Sequence, residues 1–224
     1  MKKINLKNLI ENKYSHLLFS IIAVFLCAPF LEKVIAGFPV TNMLLFVVIL
    51  LTLRILRVPR ATYIVVICLG GIAVFLEYLI NRGSISAANK IALIVLLSMY
   101  VLFIGATIVF LIKNVFAEKN ITTDTIKGGI SIYLLMGFWW VFLYSLVLVV
   151  EPGAIISTVG EKLDGVRLYL FSFATLTTVG YGDTLPKSEL AVTLSNFEAV
   201  AGQIYLTVFI ARLIGTHLLS KVKR

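Results

Sequence analysis

The chain has 224 residues, 60% of them hydrophobic and 14% charged, with a formal net charge of +9. Its mean hydropathy is +1.02, whereas a soluble domain of ordinary make-up is only about half apolar. A soluble globular enzyme and a disordered chain are both excluded, and several runs approach or exceed the ~18 apolar residues of a membrane span.

Six spanning helices are expected in chain order, over roughly 16–36, 41–58, 61–81, 88–113, 128–150 and 190–218. Each is long enough to cross a hydrocarbon core of about 30 Å at about 1.5 Å per residue. Helices are required because lipid offers the backbone no hydrogen-bond partner. The breaks fall on turn chemistry and charge: Gly37-Phe38-Pro39, Val58-Pro59-Arg60, Asn81-Arg82-Gly83-Ser84, and Glu118 to Asp124. A cleaved signal peptide is not expected at the N-terminus, since no small-x-small site follows the first apolar run and Glu32-Lys33 reads as an ordinary loop.

With six spans both termini share a side. Placing them inside puts 14 of the 20 lysines and arginines there, among them Lys2, Lys3, Lys7, Arg54, Arg57 and Arg60. The positive-inside rule therefore predicts cytoplasmic termini in a multi-pass cell-membrane protein. Topology and anionic lipid account for the net charge, and no nucleic-acid partner is expected. Cys27 and Cys68 are the only cysteines; they read as buried thiols, with no disulfide framework or metal spacing.

The organisation divides at about residue 120. Residues 1–120 carry four helices with no evident chemistry. Residues 121–224 carry two helices around a loop of about forty residues, too long for a simple connector. Within that loop "R-L-Y-L-F-S-F-A-T-L-T", 167–177, is apolar enough to enter a membrane and too short to cross it, as in a re-entrant helix. "T-V-G-Y-G" follows, where extended backbone at membrane depth is tolerated only beside an aqueous path. Gly180 and Gly182 can adopt positive φ at little steric cost. Alternating backbone angles would then turn successive carbonyls to one side and form a site for a dehydrated cation.

"T-T-V-G-Y-G-D", 177–183, resembles the selectivity filter of potassium channels, for which the TVGYG loop is the standard example. The resemblance is strong over roughly 125–220: outer helix, pore helix, filter, inner helix. Over 1–120 it extends only to helix count. Five specified residues coincide by chance about once in a few million positions, so an incidental loop is a poor account. The resemblance implies an all-α membrane protein with six transmembrane helices, a re-entrant pore helix and a tetrameric pore. It implies K⁺ coordinated by the carbonyls of Thr178, Val179, Gly180 and Tyr181 and by the Thr178 hydroxyl, with Gly182 completing the filter and Thr177, Asp183 and Glu198 supporting it. One strand supplies one side of the ring, so a homotetramer in lipid is expected. No cofactor beyond the filter K⁺ ions, and no enzymatic activity, is expected. The pore helix would aim its partially negative C-terminal end, near Thr177, at the ion path.

The sequence departs from familiar pores in two places. Leu170 and Phe171 stand where several family members have a tryptophan pair bracing the filter tyrosine. Ala174 stands where some bacterial members have an acid that pairs with the aspartate after the filter. Other contacts are therefore expected to hold the filter and Asp183, with altered inactivation. In the last helix Gly202 aligns with a gating glycine and reads either as a hinge or as a small residue permitting close packing. Gln203, Leu206 and Ile210 share a helical stripe by their spacing, and the resemblance implies that it lines the cavity. Glu198 reads either as a structural hydrogen-bond anchor behind the pore helix or as a proton- or ion-sensitive brace. Glu77 reads as interfacial. Trp139 and Trp140 are expected to pack against the pore helix.

Strong voltage gating is not expected. The fourth span carries charge only near its ends, and steep gating needs several charges per subunit. Arg54, Arg57 and Arg60 keep threefold spacing but on another helix, where topology explains them. Thr123 or Asp124 is expected to cap the fifth helix, the segment 118–129 to run along the inner interface, and His217 to be a solvated end residue. No regulatory domain is expected after the closing Lys-Val-Lys-Arg. Two other classes remain: a non-selective or Na⁺-permeable channel, which Tyr181-Gly182 disfavours, and a transporter or enzyme containing the motif, for which no paired mid-membrane carboxylates or nucleophile constellation are present.

Overall fold

The computed structural model describes residues 13–34, 40–55, 59–81, 89–118, 121–160 and 163–222. Within them lie α1 (Lys13–Val34), α2 (Val40–Ile55), α3 (Arg60–Asn81), α4 (Lys90–Ala117), α5 (Thr123–Val150), β1 (Ile155–Ser157), α6 (Gly165–Leu176), β2 (Thr184–Pro186) and α7 (Glu189–Val222). Four of these helices, α3, α4, α5 and α7, contain stretches long and apolar enough to cross a membrane. Helix α2 has 16 residues, and α1 contributes the shorter apolar stretch Tyr14–Cys27. The chain is a multi-pass membrane protein, and its described residues are helical except for one two-stranded ladder, which the apolar periodicity of its flanks did not announce. Gly37, Phe38, Pro39, Val58, Arg82, Gly83, Ser84, Lys2, Lys3, Lys7 and Arg57 lie outside the described residues, as do the side chains of Arg54 and His217. Arg60 is exposed in the first turn of α3. Glu32 and Lys33 belong to α1, not to a loop.

Two compact units are present, Met1–Ser86 with Leu102–Leu134 and Ala87–Val101 with Leu135–Arg224. In the first, buried residues recur at helical spacing: Leu17, Ile21 and Val24 on α1, Leu45, Ile49 and Leu53 on α2, and Ile104, Ile108, Leu111 and Val115 on α4. Lipid is as apolar as leucine, so close packing and polar contacts, not water exclusion, hold such helices together. Small residues permit the approach. A Cβ on Gly70 would lie 2.4 Å from the Phe46 ring, and one on Gly128 would lie 2.9 Å from Tyr14 and Val115.

The polar ties are long-range. Asp124, 7% exposed, accepts the Tyr14 amide at 3.1 and 3.2 Å and the Ser15 amide at 3.0 Å. It therefore satisfies orphan donors at the start of α1, 110 residues away. The expected cap of α5 is supplied instead by Thr122, whose Oγ1 accepts the Thr125 amide while Thr125 Oγ1 accepts the Thr122 amide, both at 3.2 Å. This reciprocal pair starts α5 at Thr123, so residues 123–129 form its first turns. Lys127 Nζ donates to Ser15 Oγ at 2.6 Å and reinforces the junction. Glu77 is half-buried and accepts both bonds from Asn42 Nδ2, at 2.9 and 3.1 Å, so it links α2 to α3. Cys27 and Cys68 are exposed, contrary to expectation, because they sit on helix faces turned away from the chain's own packing.

Asp124→Ala removes the acceptor of two amides, and the first turn of α1 should lose about 1–2 kcal/mol of protection. Hydrogen exchange at Tyr14 and Ser15 checks this, with the amides of α7 as the unaffected reference.

Candidate functional site

The second unit contains the segment Thr177–Asp183, and its geometry is set by what receives its amides. Helix α6 begins at a cap, Asp164, whose side chain accepts the Arg167 amide at 2.9 Å, and it ends at Leu176. Four amides then fold back onto its last carbonyls. Thr177 N donates to Phe173 O at 3.1 Å, Thr178 N to Thr175 O at 3.0 Å, and Val179 N and Gly180 N to Ala174 O at 2.8 and 3.2 Å. The carbonyl ends of a helix usually lack partners; here the segment itself supplies them. The segment's own carbonyls stay uncommitted. Among the described residues, no hydrogen bond within the chain reaches the carbonyls of Thr178, Val179, Gly180 or Tyr181.

Backbone handedness follows the same plan. Thr178, Gly180 and Gly182 have φ of +60°, +59° and +77°, while Val179 and Tyr181 do not enter the positive region. Strand backbone sends successive carbonyls to opposite sides, whereas alternation between left-handed and ordinary residues turns them to the same side. The two glycines adopt this at little cost. Thr178 does not: a β-branched residue in the left-handed region is an outlier costing about 1–3 kcal/mol. Its amide bond to Thr175 and its hydroxyl bond to Thr177 O at 2.7 Å hold it there. The Thr177 hydroxyl bonds Phe173 O at 2.6 Å.

The far end of the segment is tied by the ladder. β1 and β2 pair antiparallel in the register Ile155↔Pro186, Ile156↔Leu185 and Ser157↔Thr184. Thr158 extends it: its amide donates to Asp183 O and its hydroxyl to Gly182 O, both at 2.9 Å. Asp183 finds its cation in Arg167, with Nη1 3.7 Å from Oδ2. Neither the ladder nor this ion pair was foreseen; the signal was the Ile-Ile-Ser and Thr-Leu-Pro pair flanking the motif. Val179 and Tyr181 are 56% and 75% exposed in the single chain. A hollow of about 290 Å³ lies beside Tyr181, lined by Phe171, Asp183, Leu185 and Asn196 among others.

Behind α6 stands a buried polar cluster. Glu198, with no exposed surface, accepts Tyr144 Oη at 2.5 Å and lies 2.6 Å from Ser172 Oγ. Ser172 Oγ is also 2.9 Å from Gly137 O. These contacts join α5, α6 and α7, and the anchor reading of Glu198 describes them. Aromatic rings complete the packing on α6: Phe138 against Tyr169 and Phe173, and Tyr144 against Phe171. The tryptophans pack elsewhere than expected. Trp139 Nε1 donates to Val101 O at 2.9 Å, and Trp140 packs against Tyr144 and Trp139.

On α7, Gly202 is buried, and a Cβ there would meet Leu176 O at 2.4 Å. Close backbone approach to the end of α6 therefore demands glycine, independently of any hinge. Gln203 and Ile210 are exposed and Leu206 is half-buried. Phe197, Val200, Ile204 and Val208 are also exposed, at 49–64%.

Residues 132–216 match a family model described as an ion channel. No curated protein and no solved structure matches the chain significantly. Over that stretch, which covers most of α5, both strands, α6, the Thr177–Asp183 segment and most of α7, the chain is similar to ion channels.

Gly202→Ala should lower stability by about 1–3 kcal/mol, because neither helix backbone can give way cheaply. Gly215→Ala, where nothing lies within 4 Å, should cost nothing and slightly favour the helix. Thermal unfolding of the two variants in detergent separates these outcomes.

Proposed function

We propose that this ion channel is selective for K⁺, that Thr178 to Gly182 form its filter, and that four copies around an axis complete it. The observation that carries the reading is the division of labour in one short ribbon. The amides of Thr178, Val179 and Gly180 bond to α6, φ alternates along the ribbon, and four consecutive carbonyls have no hydrogen-bond partner among the described residues. Oxygens without donors, held by the ribbon's bonds to α6, suit a cation that has shed its water. One exposed ribbon cannot surround an ion, which supports a ring of identical chains. The exposed apolar face of α7 supplies area that neighbouring copies or lipid would cover.

In this reading K⁺ sits between planes of Thr178, Val179, Gly180 and Tyr181 carbonyls, with the Thr178 hydroxyl as the innermost ligand. Several ions in file repel one another, so coordination does not trap them. Thr177 and Asp183 hold the two ends of the ribbon. Gln203, Leu206 and Ile210 line the cavity below, where glutamine tolerates a hydrated ion and the apolar residues gate by dewetting. Helices α1 and α2 complete a six-span topology, with α6 re-entrant, the four helices of residues 1–120 preceding the pore elements of 121–224. The termini face the cytoplasm across the cell membrane, and the charge-poor fourth helix gives weak voltage dependence.

Protein purified into liposomes should take up K⁺ in preference to Na⁺ and be blocked by Ba²⁺; equal K⁺ and Na⁺ reversal potentials would support the non-selective alternative. Gly180→Ala forces a Cβ into a left-handed position, at about 1–2 kcal/mol. It should abolish the K⁺ preference while far-ultraviolet circular dichroism stays unchanged.

A further inference from the structure

In the cluster behind α6, Ser172 has two acceptors within reach if Glu198 is ionised, Gly137 O and Glu198 Oε1. A serine hydroxyl has one proton to give. Ser172 Oγ lies 2.9 Å from Gly137 O and 2.6 Å from Glu198 Oε1. Gly137 O is a carbonyl and has no proton, so its contact with Ser172 takes the serine's only one. The shorter contact, to Glu198, then needs a proton from the other side. Tyr144 supplies its own to Oε2 at 2.5 Å. Two short bonds alone would suit a carboxylate equally well; the Gly137 carbonyl decides the matter. With a carboxylate, either the serine and Gly137 or the serine and Glu198 would face each other lone pair to lone pair, with no exposed surface on Glu198, Ser172 or Tyr144. No cation among the described residues pairs with Glu198, and Tyr144 is the one titratable group touching it.

We propose that Glu198 is held as a neutral carboxylic acid and donates to Ser172, giving a one-way relay from Tyr144 through Glu198 and Ser172 to Gly137. The relay makes Glu198 a positioning residue: it clips α6 between α5 and α7. Ser172 stands two residues before Ala174 on the same helix, and Ala174 O receives the Val179 and Gly180 amides. A displaced Ser172 therefore displaces the acceptor that orients the ribbon. Its bearing on conduction rests on the K⁺-filter reading; the protonation state does not.

Infrared spectroscopy of the full chain in lipid vesicles at neutral pH tests the relay directly. Expected is a carboxylic-acid C=O band above the amide I region that vanishes in Glu198→Gln. Tyr144→Phe removes the donor to that carbonyl and should move the same band to higher frequency, so the assignment survives if the glutamine variant does not fold. A carboxylate band in place of the acid band, or an acid band indifferent to both variants, overturns the proposal. In K⁺ flux, Glu198→Gln keeps a donor for Ser172 and an acceptor for Tyr144 and should stay within about twofold of the parent. Glu198→Leu strands the Tyr144 hydroxyl and removes the donor to Ser172 Oγ, and it should lose about tenfold. Equal losses in the two variants would contradict the positioning role. If the parent chain passes no K⁺, the infrared result still stands or falls alone.

Discussion

Everything in the second unit depends on where four backbone amides go. Thr177, Thr178, Val179 and Gly180 turn their N–H groups onto the end of α6, and among the described residues the oxygens of Thr178 to Tyr181 have no donor. A ribbon with uncommitted carbonyls is costly unless something polar meets them. The rest of the unit serves to hold α6 still. Glu198, Tyr144 and Ser172 tie it to its neighbours, Phe138 packs against it, and Gly202 lets α7 lie against its final carbonyl.

The outer end of the ribbon is fixed differently. A three-residue ladder and Thr158 anchor Gly182 and Asp183 through neutral hydrogen bonds. The Arg167–Asp183 pair is part-exposed and long at 3.7 Å, and such pairs contribute about 0–1 kcal/mol. Backbone pairing therefore sets the position of this end, and the charges set its local field. The strained Thr178 lies at the opposite end, where α6 supplies the restraint.

Much of this was legible in the residues, for identifiable reasons. Helix positions follow from apolar length, and the observed bounds of α3, α4 and α7 lie close to those read from the chain. The start of α5 was misplaced by five residues, because Lys127 and the Gly128-Gly129 pair look like a loop when the Thr122–Thr125 cap is not weighed. The glycine ribbon was legible because positive φ selects for glycine; the left-handed Thr178 was not, because threonine seldom goes there. Asp124 was read as a local cap, and its real partners lie 110 residues away, a distance no local pattern encodes. The same holds for Arg167 and Asp183. Glu198 stood out as an acid inside an apolar helix, yet its two hydroxyl partners come from two other helices. Cys27 and Cys68 looked buried because both fall inside expected spans, whereas each sits on a helix face that the described residues leave exposed.

The central claim is that the carbonyls of Thr178 to Tyr181 are the ligands of a dehydrated monovalent cation. Anomalous diffraction from crystals of the protein grown with Tl⁺ in place of K⁺ tests it most directly. The account predicts a file of anomalous peaks on a fourfold axis, each ringed by these carbonyls from four chains. Ribbons lying away from any symmetry axis, with no Tl⁺ beside them, would contradict it.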